Sequence, residues 1–166
     1  MTSSFDPIGM LLTLLDHKVR FVLIGGYAAA LRGSPMLTGD LDICYSRETE
    51  NLSRLCDALI ELRARLRGVD EEVPFQLDRK TLLAGDSFTF VTDKGSLDCL
   101  ATPSGTFGFD DLNAGASDEG IGVATVRVAS LDDLARMKRA SRRPKDMVAL
   151  EWIRGLQGET EGTREA

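Results

Sequence analysis

The sequence predicts an α/β fold, in which a mixed, twisted β-sheet is flanked by helices. Val19–Ile24 is a continuous apolar run with β-branched residues, typical of a buried strand. Ser87–Thr92 and Ser96–Ala101 flank the short sequence Asp93–Gly95, and this arrangement favours a β-hairpin. Glu48–Leu66 instead carries leucines at helical spacing. Strand and helix patterns therefore alternate along one chain.

Weaker signals predict the remaining elements and the domain organisation. Helical spacing, alanine content or capping residues predict helices at Phe5–Asp16, Tyr27–Arg32, Leu131–Ser141 and Pro144 to about Arg154. Short strands are predicted at Leu41–Tyr45, Val73–Leu77, Thr81–Ala84 and Ile121–Val128, and a mobile loop at Asp110–Gly122. Residues 1–155 are expected to form a single domain, and the polar residues 156–166 a flexible C-terminal tail.

Composition excludes several classes of chemistry. The chain has no run of about 18 apolar residues and no signal-peptide pattern, so we expect a cytoplasmic protein with no membrane partner. Cys44, Cys56 and Cys99 show no CxxC spacing, which argues against a disulfide framework or a zinc cluster. The single histidine, His17, falls at a predicted helix end. Chemistry is therefore expected from carboxylates, lysine, arginine and backbone groups.

The distribution of charge is more informative than its sum. The net charge is −6, yet the segment from Arg136 to Lys145 holds six basic residues and no acidic one. This asymmetry indicates a local anion-binding surface on an otherwise acidic protein.

Two aspartates mark the strand at Leu41–Tyr45 as a functional candidate. Aspartate is depleted in strands, yet Asp40 and Asp42 stand at the start of this one. Side chains two residues apart point to the same face of a strand. Two adjacent carboxylates repel each other unless a cation lies between them, and such a pair suits Mg²⁺.

Asp98 is a third aspartate within a predicted strand, on the face opposite Leu97 and Cys99. If Asp98 converges with Asp40 and Asp42, the three carboxylates are expected to hold two metal ions for phosphoryl transfer. In that arrangement Asp40 and Asp42 bind both metals. Asp98 binds one of them and helps to deprotonate the attacking hydroxyl.

Gly25 and Gly26 lie in a turn that opens a predicted helix, where backbone N–H groups can approach phosphate. The turn does not match the dinucleotide-binding pattern GxGxxG. A plain strand-to-helix turn is the simpler alternative. The proximity of the segment Thr38–Asp42 in the sequence favours the phosphate-binding interpretation.

Lys138 is predicted to lie on the core-facing stripe of its helix, together with Leu131, Leu134 and Ala135. An unpaired ammonium there is costly, so the side chain needs an anionic partner, either a triphosphate or the acidic cluster. The alternative is a lysine whose ammonium extends to solvent.

The basic residues around Lys138 have two interpretations. Arg139, Arg142, Arg143 and Lys145 either form a solvated helix end or contact phosphates of a nucleotide or an RNA acceptor. Asp146, in the first turn of the next helix, either compensates the helix dipole or orients Lys138 or Arg142.

These motifs resemble the DNA-polymerase-β-like nucleotidyltransferase superfamily. The matching positions are Gly25-Gly26, Gly33, Thr38-x-Asp40-x-Asp42 and Asp98. The stretch from Ser130 to Asp146 and the overall size are similar to the AbiE-type and MenT-type toxin nucleotidyltransferases of bacteria. The resemblance implies the nucleotidyltransferase fold, with the C-terminal helices completing an active-site cleft.

The resemblance also implies a function. Such toxins use Mg²⁺ and a nucleoside triphosphate, with CTP preferred, to add nucleotides to the 3′ end of tRNA and so block aminoacylation and translation. The resemblance assigns Asp40, Asp42 and Asp98 to the metals and adds Lys138 as a catalytic residue. The residues that it implies at the nucleotide are Gly25, Gly26, Lys138, Arg139 and Arg142. Arg142, Arg143 and Lys145 become candidates for RNA binding, and Thr38 for regulatory phosphorylation. A cognate antitoxin, kinase-like in some systems, is an expected partner.

Two other functions remain open from the sequence. The acidic surface also suits a cationic small acceptor, as in aminoglycoside-modifying nucleotidyltransferases. A nucleotide-binding partner protein without catalysis is the third reading, against which the presence of all three aspartates argues.

Overall fold

The structure, a computed structural model, describes residues 4–68 and 76–165, with side chains described as far as residue 159. Within these residues seven strands are found: β1 (Phe21–Ile24), β2 (Asp40–Tyr45), β3 (Arg65–Leu66), β4 (Ser87–Thr92), β5 (Gly95–Leu100), β6 (Ser117–Gly120) and β7 (Thr125–Val128). The helices described are α1 (Pro7–Asp16), α2 (Gly25–Leu31), α3 (Thr49–Glu61), α4 (Arg79–Ala84), α5 (Phe109–Gly115), α6 (Leu131–Ser141) and α7 (Pro144–Glu165).

All seven strands form one mixed sheet in the order β3-β4-β5-β2-β1-β7-β6. β2 pairs with β5 in parallel and β1 pairs with β7 in parallel, whereas the other neighbours are antiparallel. The prediction of an α/β fold with a mixed sheet is therefore confirmed. The parallel β2–β5 pair lies at the middle of the sheet and carries the aspartates found in the sequence.

The core explains why β1 and β2 occupy the centre. All four residues of β1 are buried, as the continuous apolar run predicts. In β2 the apolar residues are buried, while Asp40 and Asp42 are only partly covered. Leu11 and Leu14 of α1, with the three leucines of α3, are buried and complete the core. One end of a rigid strand is thus left partly open to solvent, with two carboxylates on it.

Several predicted elements differ from the structure. The helix predicted over Glu48–Leu66 ends at Glu61, and Arg63, with φ 55°, turns the chain into the edge strand β3. Thr81–Ala84 was predicted as a strand and is part of α4 instead. The Asp78 side chain caps this helix by accepting a hydrogen bond of 2.7 Å from the Thr81 N–H. Of the predicted strand Val73–Leu77, residues 73–75 lie outside the described residues, and Gln76 and Leu77 belong to no strand.

The C-terminal half holds more regular structure than its composition predicted. The loop predicted at Asp110–Gly122 contains most of α5 and all of β6. The strand predicted at Ile121–Val128 begins at Thr125, because Ile121 to Ala124 form the turn of the β6–β7 hairpin. The last helix continues to Glu165 rather than ending near Arg154. No helix among the described residues is long and apolar enough to cross a membrane.

Candidate active site

A single row across the sheet brings the predicted carboxylates together. Asp42 lies opposite Asp98 in the parallel β2–β5 register, and Ile24 of β1 lies opposite Asp42 on the other side. Asp40 lies on the same face of β2, two residues before Asp42. Side chains at one level of neighbouring strands are within contact distance, so the three aspartates form one cluster. We call Asp40, Asp42 and Asp98 the acidic triad.

The acidic triad is electrostatically strained at Asp42. Burial, followed by the negative charge and hydrogen-bonded carboxyl of Asp98, raises the pKa of Asp42 to about 7, although Lys138 opposes this shift. Burial also raises the pKa of Asp98, against the lowering effects of its hydrogen bond to Asp42 and of the Arg67 cation. A cation bound beside the two carboxyls would favour their charged forms and so lower both pKa values.

Arg67 supplies positive charge to the acidic triad from the edge of the sheet. Its Nη2 lies 3.3 Å from Asp98 Oδ1 and 3.5 Å from Asp40 Oδ1. The side chain is 39% exposed, so both ion pairs are open to water. The sequence indicates Arg67 only as one of three arginines at the end of the predicted helix Glu48–Leu66, where the helix dipole favours cations, and does not place it at the acidic triad.

Gly25 is required by the position of Asp42. Its φ is +74°, and a Cβ at this residue would lie 2.2 Å from Asp42 Oδ2. A side chain at residue 25 would therefore be strained in its own backbone and would also collide with the carboxylate. The first glycine of the turn keeps open the space beside the acidic triad.

Gly26 and Thr38 lie next to each other beside the acidic triad. A Cβ at residue 26 would lie 3.0 Å from Thr38 Oγ1, a close contact that a larger side chain would worsen. The Thr38 hydroxyl donates a hydrogen bond of 3.1 Å to the Asp40 carbonyl and so fixes the turn that leads into β2. The α2 helix begins at Gly25, and no side chain caps its first N–H groups.

A basic cluster organised by Asp146 faces the acidic triad from α6 and α7. Asp146 is 1% exposed and accepts hydrogen bonds from Ser141 Oγ at 2.6 Å, Arg143 Nε at 2.8 Å and Lys138 Nζ at 2.9 Å. The break between the helices makes this possible, because Arg142 adopts φ 53° and α7 starts at Pro144. Lys138 therefore has an anionic partner, as its place on the helix required, and that partner is Asp146.

The pKa of Asp146 is shifted in the opposite direction to that of Asp42. Burial alone would raise the pKa of the Asp146 carboxyl. The hydrogen bonds from Ser141, Lys138 and Arg143 outweigh burial and hold the pKa well below its usual range. Asp146 is thus ionised at all ordinary pH values and fixes two cationic side chains beside the cleft.

The acidic triad and the basic cluster border two adjoining spaces. The first, which we call the aspartate cleft, has a volume of about 200 Å³ and reaches from Gly26, Thr38 and the acidic triad to Lys138, Arg143 and Lys145. The second, the side pocket, has a volume of about 140 Å³ and apolar walls that include Leu100, Leu134 and Met137. Asp42, Lys138 and Arg143 border both spaces.

Not every sequence-predicted site residue reaches these spaces. Gly25, Gly26, Thr38, Lys138, Arg143 and Lys145 line one or both of them, as does the acidic triad. Arg139 and Arg142 are exposed and line neither. His17 lies at the end of α1, where its Nε2 is 3.6 Å from Glu61. Cys44, Cys56 and Cys99 are buried free thiols.

The donor set of the acidic triad fits a hard divalent cation bound together with phosphate. Among the residues that the structure describes, no group of three or more His, Cys, Asp or Glu is arranged to hold a metal ion by itself. Asp42 and Asp98 form a close pair, and Arg67 contacts both Asp98 and Asp40. Mg²⁺ is commonly held by one or two carboxylates and completed by substrate phosphates. The close pair matches that pattern, and the two-metal arrangement stays a prediction.

Solved structures with this fold are nucleotidyltransferases. The lincosamide antibiotic adenylyltransferase LnuA, solved with lincomycin bound, shares 16% identity at a TM-score of 0.60, over 90% of this chain and 96% of that one. The antibiotic-resistance factor ANT(2″)-Ia shares 14% identity at a TM-score of 0.52, over 95% and 92%. TM1012, a proposed nucleotidyltransferase of Thermotoga maritima, shares 18% identity at 0.52, over 95% and 98%.

These likenesses define the class of fold. The chain has the nucleotidyltransferase fold, and its acidic triad lies on the central parallel strands of that fold. No family profile and no curated protein sequence matches the chain. What the protein acts on is therefore argued from its own residues.

Proposed function

We propose that the protein is a divalent-metal-dependent nucleotidyltransferase. One observation carries the proposal: a close, partly buried pair of carboxylates, Asp42 and Asp98, faces the cations of Lys138 and Arg143 across a cleft. An acidic wall can hold a cation and activate a hydroxyl, and a basic wall can hold a polyphosphate. The side pocket adjoins the cleft at Asp42, which suits a reaction between two substrates.

Each residue has a specific role in this proposal. A bound Mg²⁺ supplies charge neutralisation of the reacting phosphate. Asp42 and Asp98 are its ligands with Asp40, and Asp98 also accepts the proton of the acceptor hydroxyl. Lys138 and Arg143, fixed by Asp146, bind and orient the triphosphate of the nucleotide. Gly25 and Gly26 leave room for phosphate beside Asp42 and Thr38.

For the acceptor, we propose the 3′ end of tRNA, with CTP as the preferred nucleotide. Arg143 and Lys145 are exposed at the rim of the aspartate cleft, and Arg139 and Arg142 extend the same basic segment over the surface. Such a rim favours a polyanionic acceptor over a cationic one. In this proposal the protein is a toxin that blocks aminoacylation, and a cognate antitoxin restrains it.

A small hydroxylated antibiotic is the second candidate acceptor. Its specific support is the likeness to LnuA over 96% of that chain, together with the apolar side pocket next to Asp42. A third candidate, a nucleotide-binding partner protein without turnover, retains the cleft but not the chemistry.

One labelling experiment separates the three candidates. Purified protein is incubated with Mg²⁺ and each labelled nucleoside triphosphate, with total tRNA, a lincosamide or an aminoglycoside as acceptor. Label in tRNA, strongest from CTP and absent with Asp42→Asn, supports the primary proposal. Label only in an antibiotic supports the second candidate. If calorimetry shows nucleotide binding but no acceptor becomes labelled, the third candidate, a binding protein without turnover, is supported.

We also propose that Thr38 is a regulatory position. Its hydroxyl lies within the turn that precedes Asp40 and lines the aspartate cleft. A phosphate there adds about two negative charges beside the acidic triad and repels a nucleotide triphosphate. Thr38→Glu is expected to weaken nucleotide binding by at least tenfold, while Thr38→Ser retains it. Full nucleotide affinity in the Glu variant would exclude this mechanism.

A further inference from the structure

The side chain of Arg67 reaches the acidic triad along the same row of the sheet that aligns Asp42 with Asp98. The Arg67 N–H donates a hydrogen bond of 2.9 Å to the Thr89 carbonyl, and Thr89 lies opposite Asp98. Arg67 therefore stands two strands from Asp98 at the same level, and its long side chain spans β4. The sheet register directs this cation onto the carboxylates.

The contacts of Arg67 differ from those of Arg32, an arginine that holds parts of the fold together. Arg32 is 17% exposed and uses its whole guanidinium, with Glu119, Ser117, Val128 and Ala129 as partners at 2.6–3.2 Å. Arg67 is 39% exposed and offers one nitrogen to two carboxylates at 3.3 and 3.5 Å. Pairs this long and this exposed contribute little stability and are easily exchanged.

The contacted carboxylates belong to two of the residues that the proposed function assigns to a cation. Asp40 Oδ1 and Asp98 Oδ1 both face Arg67 Nη2. A divalent cation on the same oxygens would lie close to the guanidinium, and the two like charges would repel each other at short range. Both ions therefore cannot occupy these carboxylates at once in the observed arrangement.

We propose that Arg67 is a displaceable counter-ion, which competes with the divalent cation for Asp40 and Asp98 and leaves them when the cation binds. This inference rests on the proposed function for the identity of the cation site. While paired, the arginine reduces repulsion between the carboxylates of the empty enzyme. Once displaced, its guanidinium stays tethered near the acidic triad by the pairing of β3 with β4, and an incoming phosphate is a suitable partner for it.

The test measures cation affinity directly, without turnover. Mn²⁺ binding is followed by electron paramagnetic resonance and calorimetry for the wild type, Arg67→Gln and Arg65→Gln. Arg65 is an exposed residue of β3 two positions earlier, so its variant makes the same charge change away from the contacts described here. Arg67→Gln is expected to bind Mn²⁺ about tenfold more tightly, because two partly exposed ion pairs no longer compete, whereas Arg65→Gln is expected to match the wild type.

Each other outcome overturns the inference in a recognisable way. If Arg67→Gln binds Mn²⁺ as the wild type does or more weakly, Arg67 does not compete, although the proposed function survives. If both variants bind Mn²⁺ more tightly by the same factor, the gain comes from the change in net charge and not from the contacts of Arg67. If no protein binds Mn²⁺, with or without nucleotide, the proposed function fails together with the inference. Circular dichroism and a melt in chelator establish that each variant is folded.

Discussion

Two carboxylates of the same cleft, the partly buried Asp42 and the buried Asp146, have pKa values shifted in opposite directions. Asp42, on the sheet, has a raised pKa because burial and Asp98 disfavour its charge. Asp146, on α7, has a lowered pKa because three donors outweigh burial. The comparison teaches that burial alone does not set the charge state of a site, since the partners decide it. One carboxylate retains affinity for a cation, and the other uses its affinity to hold Lys138 and Arg143.

Removing the charge of Asp42 is expected to have the largest effect on activity, and it tests whether this carboxylate binds a cation. Asp42→Asn is expected to lower nucleotide transfer at least 1000-fold, because a cation site and its charge neutralisation are lost. Turnover is measured with the labelled nucleotide and acceptor that the wild type uses. Asp57→Asn, at an exposed position of α3, is the matched control and should retain full activity. Comparable activity in both variants would contradict the assignment.

Filling the space beside Asp42 is expected to have the next largest effect on activity. Gly25→Ala places a Cβ against the Asp42 carboxylate and strains a residue with positive φ, so we expect roughly a 100-fold loss of transfer and a destabilisation of roughly 1–3 kcal/mol. Initial rates and a denaturant melt measure the two effects. Gly39→Ala, where no atom lies within 4 Å of the added Cβ, serves as control.

Removing the charge of Asp146 is expected to destabilise the protein. Asp146→Asn leaves Lys138 and Arg143 without their anionic partner, and we expect a loss of about 2 kcal/mol, with a raised KM for nucleotide. The figure is below that of a fully buried pair because Arg143 is 62% exposed. Urea denaturation and steady-state kinetics report the two effects. An unchanged midpoint would show that the basic cluster is held by other contacts.

The pH dependence of stability sharpens the contrast, because the two carboxylates act in different pH ranges. Asp42 has a folded pKa near 7, above its unfolded value, so its protonated form favours folding and that contribution is lost as pH rises through 7. In chelator, the stability of Asp42→Asn should match that of the wild type near pH 4 and exceed it by roughly 4 kcal/mol at pH 8.

For Asp146 the sign is reversed. Its folded pKa is depressed, so its contribution to stability is present above the unfolded pKa, near 4, and is lost as pH falls through the folded pKa. The stability difference between the wild type and Asp146→Asn should therefore be constant from pH 5 to 8 and shrink below pH 4. Melting curves over this range check both variants. A difference that grows on acidification would contradict the depressed pKa.

The elements of both walls of the site were predicted from the sequence, since the helix Leu131–Ser141 and the helix beginning at Pro144 were found as well as the strands. Strand patterns at Val19–Ile24 and Ser87–Ala101 are strong because each strand is buried or hairpin-linked, and this located Asp98 correctly within its strand. Thr81–Ala84 is helical because Asp78 caps the helix and leucine and alanine favour it, and the strand prediction overlooked both signals. The short edge strand β3 depends on pairing with β4, which no local pattern reveals.

Sequence reasoning reached the partner choices within the site only in part, since it offered Asp146 as one possible partner of Lys138 among others. Lys138 was expected to need an anion, but whether that anion is Asp146 depends on the turn at Arg142. Arg67 lies 31 residues from Asp98 in the chain, and only the sheet register brings the two together. Residue type indicated the chemistry, whereas tertiary pairing decided which charges meet.

The parallel pairing of β2 with β5 has a consequence for biosynthesis. The two strands are separated by a long stretch of chain, and the helix wall with Asp146 follows later still. A ribosome making this protein must release all of these segments before both sides of the cleft exist. The two sides of the cleft therefore come together only after α7 has been synthesised and has docked.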